Sequence, residues 1–367
     1  MENGKWTCDR RRGLALLAGA TASLLAPGAA EASGAWPGSA WVSKAPAQVG
    51  VGAFRLDQAI AYAKRFGGSG IVVRNGYRIA SWGGQATRYD LKSATKSFGS
   101  ILLGLAVADG RLDLTDRAQP RLHGFGLPPA SNAATGWLDD VAVRHLATHT
   151  AGFEKTGGFG RLRFKPGAGW SYSDGGANWL ADLVTVEYGR DLDAVLRDRV
   201  LRPLGIPTSG LTWRTNRYRP KTLSGIARRE FGSGIGASVD AMARIGLMMA
   251  RGGRWGARRI LPSSYVRMAG TTPWWLKSVP LRDDPAVYPA AQHRYGLLWW
   301  NNAGGAIDGL PRDAFWAWGL GEQLILAVPS RDLVAARAGP AMGTRGGFGD
   351  TRALQPFFGP LGQAVVG

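Results

Sequence analysis

The sequence predicts an α+β fold: an antiparallel sheet assembled from both chain ends, flanked by helices, with a mainly helical insertion between them. Near the start, GIVVRNGYRIASWGG (70–84) holds two β-rich runs joined at Asn75-Gly76, residues that tolerate the positive φ angles of a two-residue hairpin. Near the end, EQLILAVPSRDLVAARAG (322–339) repeats the pattern, with Pro329 and Ser330 in the turn. Between these hairpins, DDVAVRHLATH, SDGGANWLADLVTVEYG, DLDAVLRDRVLRPLG and SVDAMARIGLMMARGG carry apolar residues at three- and four-residue spacing, the period of a helix with one buried face.

In chain order, residues 1–32 read as an export signal of twin-arginine type. Arg10, Arg11 and Arg12 precede an apolar run from Leu14 to Leu25, and Ala30-Glu31-Ala32 offers a small-residue cleavage site. The run is too short and too rich in Ala and Gly for a permanent membrane span, and no later stretch is long and uncharged enough. Residues 33–51, rich in Gly, Ala and Pro, read as a linker or an ordered arm. FRLDQAIAYAKRF (54–66) is an amphipathic helix stopped by Gly67-Gly68. The first hairpin follows, then LKSATKSFGSILLGLAVADG (91–110), a helix apolar on all sides and hence central. The sheet domain takes 52–120 and 290–367, and the mainly helical region 121–289. TRALQPFFGPLGQAV (351–365) forms a terminal helix broken at Pro356.

The 367 residues, 45% hydrophobic with 15 Trp, suffice for a large core. The single cysteine, Cys8, lies in the signal, so the exported protein has no disulfide framework, thiolate metal site or cysteine nucleophile. The net charge of +19 comes mostly from dispersed arginines; without a dense basic stripe it points away from nucleic acid and toward attraction to an anionic cell envelope. A periplasmic or secreted location follows from the signal.

Three features could carry chemistry. Ser93 stands three residues before Lys96, one helical turn apart, so the lysine can assist an alkoxide on the serine; at a helix start, Ser93 is equally an ordinary N-cap. An unneeded lysine is costly in so apolar a helix. Tyr172, in KPGAGWSYSDGGANW, is either a packing aromatic or, beside a lysine that lowers its pKa, a general base. Gly319 to Gly321 run into a strand, either as a plain tight turn or as a place where a backbone N–H meets a substrate carbonyl. His145 and His149 lack metal-ligand spacing, so no metal is expected, and His149 reads as structural.

The order of these features resembles the serine β-lactamase-related family: class C β-lactamases, D-alanyl-D-alanine carboxypeptidases, family VIII carboxylesterases and 6-aminohexanoate-dimer hydrolases. S-A-T-K, VRHLATHTAGF, KPGAGWSYSDGGANWLADLV, LRPLGI, YGLLWW and GEQLILAVPSRDLV occur in family order over about residues 55 to 340. The resemblance implies a β-lactamase/transpeptidase-like fold with no cofactor. It makes Ser93 the nucleophile, Lys96 its activating partner and Tyr172 the acid/base, with the backbone N–H groups of Ser93 and Leu320 as the oxyanion hole.

Two departures bear on substrate. Asp174 replaces the asparagine of the family's Y-x-N, and a carboxylate there favours a cationic lysine, leaving the tyrosine as base. Ala317-Trp318-Gly319 replaces K-T-G or H-x-G, removing the cation that pairs with a substrate carboxylate. The expectation is therefore an exported hydrolase of small esters or amides with an apolar acyl group, Trp299, Trp300, Trp316 and Trp318 being either pocket walls or core. The alternatives are a penicillin-binding or β-lactamase-type enzyme and a catalytically silent binder of cell-wall peptides.

Overall fold

The computed structural model describes residues 34–343 and 349–366. The proposed signal, 1–32, lies outside the described residues. A six-stranded antiparallel sheet is built from both chain ends: β1 (Ser69–Arg74), β2 (Tyr77–Trp82), β3 (Trp300–Asn301), β4 (Phe315–Gly319), β5 (Gln323–Val328) and β6 (Leu333–Ala338), in the order β3-β4-β5-β6-β1-β2. At the β1–β2 turn Asn75 and Gly76 have φ of 52° and 76°, the paired positive angles that this dipeptide supplies at least cost. The strand from the start and the strand from the end pair directly, Ser69 opposite Ala338 through Arg74 opposite Leu333.

β5 and β6 are buried on both faces, which is why QLILAV and LVAARA are nearly continuous apolar runs rather than alternating ones. One face is covered by the helix Val239–Ala250. The other meets the terminal helix Gln355–Ala364, whose Phe357 and Phe358 pack edge-on against Trp82 and Trp316, 6.3 and 5.6 Å between centroids. The helix Ala53–Lys64 lies along that terminal helix.

Several local expectations need correction. Pro356 does not break the terminal helix: it occupies the first turn, where its missing N–H has no intrahelical partner to lose, and the helix continues through Pro360. DDVAVRHLATH yields only a 3-10 turn, Leu138–Asp140, and a five-residue helix, Val143–Ala147. The segment between the sheet halves also carries a small sheet, Arg88–Asp90 and Leu211–Trp213 on either side of Ile235–Ser238. Residues from 34 onward form an ordered arm: Trp41 Nε1 donates to Asp240 at 2.6 Å, and Arg251 donates to the Ala35 carbonyl at 2.9 Å. No helix among the described residues is long and apolar enough to cross a membrane.

Candidate active site

Ser93 lies in a 3-10 turn, Lys92–Ala94, that leads directly into α1 (Thr95–Ala108), and Lys92 before it adopts a left-handed φ of 51°. Neither helix start has a side-chain cap, so the N-cap reading of Ser93 does not hold. Its hydroxyl faces Lys96 instead, whose Nζ donates to Ser93 Oγ at 3.2 Å. The same Nζ donates to the Gly232 carbonyl at 3.1 Å and to Asp174 Oδ1. An ammonium has three N–H donors, and here each has an oxygen. The Lys96 side chain is 1% exposed and Asp174 28%, so the pair is buried on one side and open to the cleft on the other.

Tyr172 belongs to the extended segment before α2 (Asp174–Tyr188), a helix capped by Ser173, whose Oγ accepts from Gly176 N–H at 2.8 Å. Asp283, over a hundred residues downstream, holds this segment: its carboxylate accepts from Ser171 Oγ and from Tyr172 N–H, both at 2.6 Å. The Tyr172 ring stacks on Tyr288 and Trp300, 5.5 and 6.1 Å between centroids, with Lys96 Nζ 4.7 Å from its own centroid. Tyr172 is hydrogen-bonded to Ser93. Burial, and then the Asp174 charge, push its phenol well above the ordinary value, with the Ser93 bond pulling the other way. This reverses the expectation that the nearby lysine lowers that pKa; desolvation is the larger effect in so enclosed a place.

His149 supports this arrangement from behind. Its Nδ1 accepts from Ser173 N–H at 3.3 Å, so the neutral ring carries its proton on Nε2 and donates it to Tyr295 Oη at 3.0 Å. Burial, with the charges of Lys96 and Lys155, holds His149 well below the usual histidine value. Its ring lies 4.5 Å from that of Tyr172.

Gly319 ends β4 directly against the Ser93 turn. A Cβ there would lie 2.0 Å from the Leu91 carbonyl oxygen, so only glycine lets the strand come this close. The following turn places Leu320 on the same cleft as Ser93. Buried Arg337, in β6, fixes that turn by donating to the Gly321 and Glu322 carbonyls at 2.9 and 3.2 Å.

The cleft, about 290 Å³, is lined by Ser93, Asp174 and Leu320 together with Asp90, Lys92, Asn178, Arg214, Arg217, Tyr218 and Ser233. This polar lining contradicts the expected apolar acyl pocket. Trp299, Trp300, Trp316 and Trp318 are core residues, none more than 2% exposed. Trp318 instead braces Trp300, edge-on at 5.5 Å, and Trp300 in turn stacks on Tyr172. Sequence reasoning did not reach Asp283, Gly232 or Arg217, because no local pattern marks a residue whose partner lies far along the chain. Among the described residues no His, Cys, Asp and Glu group could hold a metal ion.

A family model described as Beta-lactamase matches residues 55–352. An uncharacterized protein of Alkalihalophilus pseudofirmus is 21% identical over 281 residues, 71% of this chain and 76% of its own length. Among solved structures, a beta-lactamase from Mycobacterium bovis superposes with a TM-score of 0.61 at 20% identity, over 84% of this chain and 100% of its own. A family VIII carboxylesterase gives 0.61 at 17% identity, over 84% and 97%. At these identities the superpositions show a shared fold.

Proposed function

Because the chain belongs to the beta-lactamase family, we propose that it is an exported serine hydrolase, periplasmic or secreted, that cleaves small esters or amides through an acyl-serine intermediate. The observation that carries this reading is the contact of Lys96 Nζ with Ser93 Oγ, in a cleft where Tyr172 is hydrogen-bonded to the same serine. Ser93 attacks the carbonyl carbon, and the N–H groups of Ser93 and Leu320 receive the developing oxyanion. Lys96, paired with Asp174, stabilises negative charge on Ser93 Oγ.

A phenol held above its ordinary pKa is a poor source of phenolate at neutral pH, so Tyr172 acts as a relay. It accepts the serine proton while giving its own to the leaving oxygen or nitrogen, and remains neutral throughout. In the second half-reaction water attacks the acyl-serine and the relay runs backwards, returning a proton to Ser93.

The test is steady-state hydrolysis of p-nitrophenyl butyrate by the exported form, with Ser93→Ala as control. Turnover that disappears in the variant supports the reading. Reaction with penicillin but not with small esters would replace it with a penicillin-binding or β-lactamase-type activity, and no reaction with either would leave a silent peptide binder.

A further inference from the structure

The cleft that holds Ser93 carries one positive charge more than its own acids neutralise. Lys92 is paired with Asp90 at 2.6 Å, and Arg214 with the buried carboxylate of Glu230 and with Ser233 Oγ at 2.9 Å. Asp174, on the same cleft, already faces Lys96. Arg217 differs: it is exposed on the cleft wall, and among the described residues its guanidinium has no ion-pair or hydrogen-bond partner.

The backbone beneath Arg217 is nonetheless firmly held. Buried Asn216 accepts at Oδ1 from the N–H groups of Tyr218 and Arg219, both at 2.8 Å, and the Arg217 N–H bonds Glu230. Arg219 and Arg228 each bond one oxygen of Asp182, at 2.7 and 2.9 Å, with all three side chains buried. Asp182 lies in α2, the helix that starts beside Tyr172, so the helix that positions the acid/base also anchors the Arg217 loop.

From this unpaired cation on a fixed base we infer that Arg217 is a specificity-determining residue selecting substrates that carry a carboxylate. It supplies, on the cleft that Ser93 and Leu320 also line, the positive charge that Ala317 cannot. A planar guanidinium can meet a carboxylate through two parallel N–H bonds. A partly enclosed cleft screens that pair less than an open surface does, and the chain's +19 charge favours the approach of anions. The inference rests on the hydrolase reading and narrows its substrate class.

The test compares three esters on the wild-type exported protein and on Arg217→Gln: neutral p-nitrophenyl butyrate, mono-p-nitrophenyl glutarate with its charge on the acyl side, and 4-butyryloxybenzoate with its charge on the leaving group. The quantity read is the loss of kcat/KM on substitution for each ester, which cancels their intrinsic reactivities. The expected result is a loss roughly five- to twentyfold larger for one anionic ester than for the neutral one, seen mainly in KM, diminished by salt and partly restored in Arg217→Lys. Equal losses for all three esters, or none, overturn the inference while leaving the hydrolase reading standing. Failure of the wild-type protein to hydrolyse any of the three removes that reading and the inference with it.

Discussion

Replacing Asp174 by Asn, the family's own residue, keeps shape and an acceptor oxygen while removing one charge. In the wild type that charge faces an ammonium whose side chain is 1% exposed, so Lys96 loses the carboxylate it is paired with. Removing one partner of a fully buried pair costs about 3–5 kcal/mol. Here the amide oxygen still accepts from Nζ, the other two acceptors remain at 3.1 and 3.2 Å, and the Asp174 side is 28% open to solvent. The expected loss is therefore smaller, about 1–2 kcal/mol in chemical denaturation, the difference between a charge-assisted and a neutral hydrogen bond. The Asp174 charge is also the second cause holding the Tyr172 phenol high, so its removal lowers that pKa. A relay needs the neutral phenol, so the alkaline fall in kcat/KM begins at lower pH in the variant. Unchanged stability together with an unchanged pH profile would refute this electrostatic coupling.

Three further outcomes follow from the same geometry. Gly319→Ala drives a methyl group into the Leu91 carbonyl, which is backbone and cannot yield, so stability should drop by about 1–3 kcal/mol and esterase activity fall with it; a fully active, equally stable variant would contradict the close approach. Asp283→Ala removes the acceptor for Ser171 Oγ and Tyr172 N–H, and should lower kcat by roughly tenfold or more with KM little changed, whereas an unaltered kcat would show that the clamp does not position Tyr172. Stability should decline as pH falls below about 6.5: burial holds His145 down to about 4 and His149 well below its ordinary value, so the unfolded chain takes up protons that the folded one refuses. A thermal midpoint flat from pH 7 to about 4 would contradict this.

Legibility differed between the sheet and the site. The Asn75-Gly76 hairpin, the Pro329 hairpin and the central helix after Ser93 all have local signatures, because turn chemistry and periodicity act over a few residues. Ser93, Lys96 and Tyr172 do come together, as their family order implied. What sequence could not carry was desolvation. The direction of the Tyr172 shift reverses because Tyr288, Trp300 and His149 enclose its ring, and these residues are scattered from 149 to 300. Trp318 left two readings open for the same reason: an aromatic beside a motif looks alike whether it faces a cleft or the core, and only the neighbouring strand shows that it braces Trp300. Arg217 escaped the sequence reading because it lines the Ser93 cleft from a loop far along the chain from both Ser93 and Ala317.

The central claim is that Ser93 becomes acylated, and mass spectrometry of the protein quenched during turnover of p-nitrophenyl butyrate measures this directly. A mass increase of one butyryl group on the peptide containing Ser93, absent from Ser93→Ala and persisting longer in Tyr172→Phe, is the predicted result. Ester turnover with no adduct on Ser93 in either the wild type or Tyr172→Phe, or an adduct on a different residue, would contradict it.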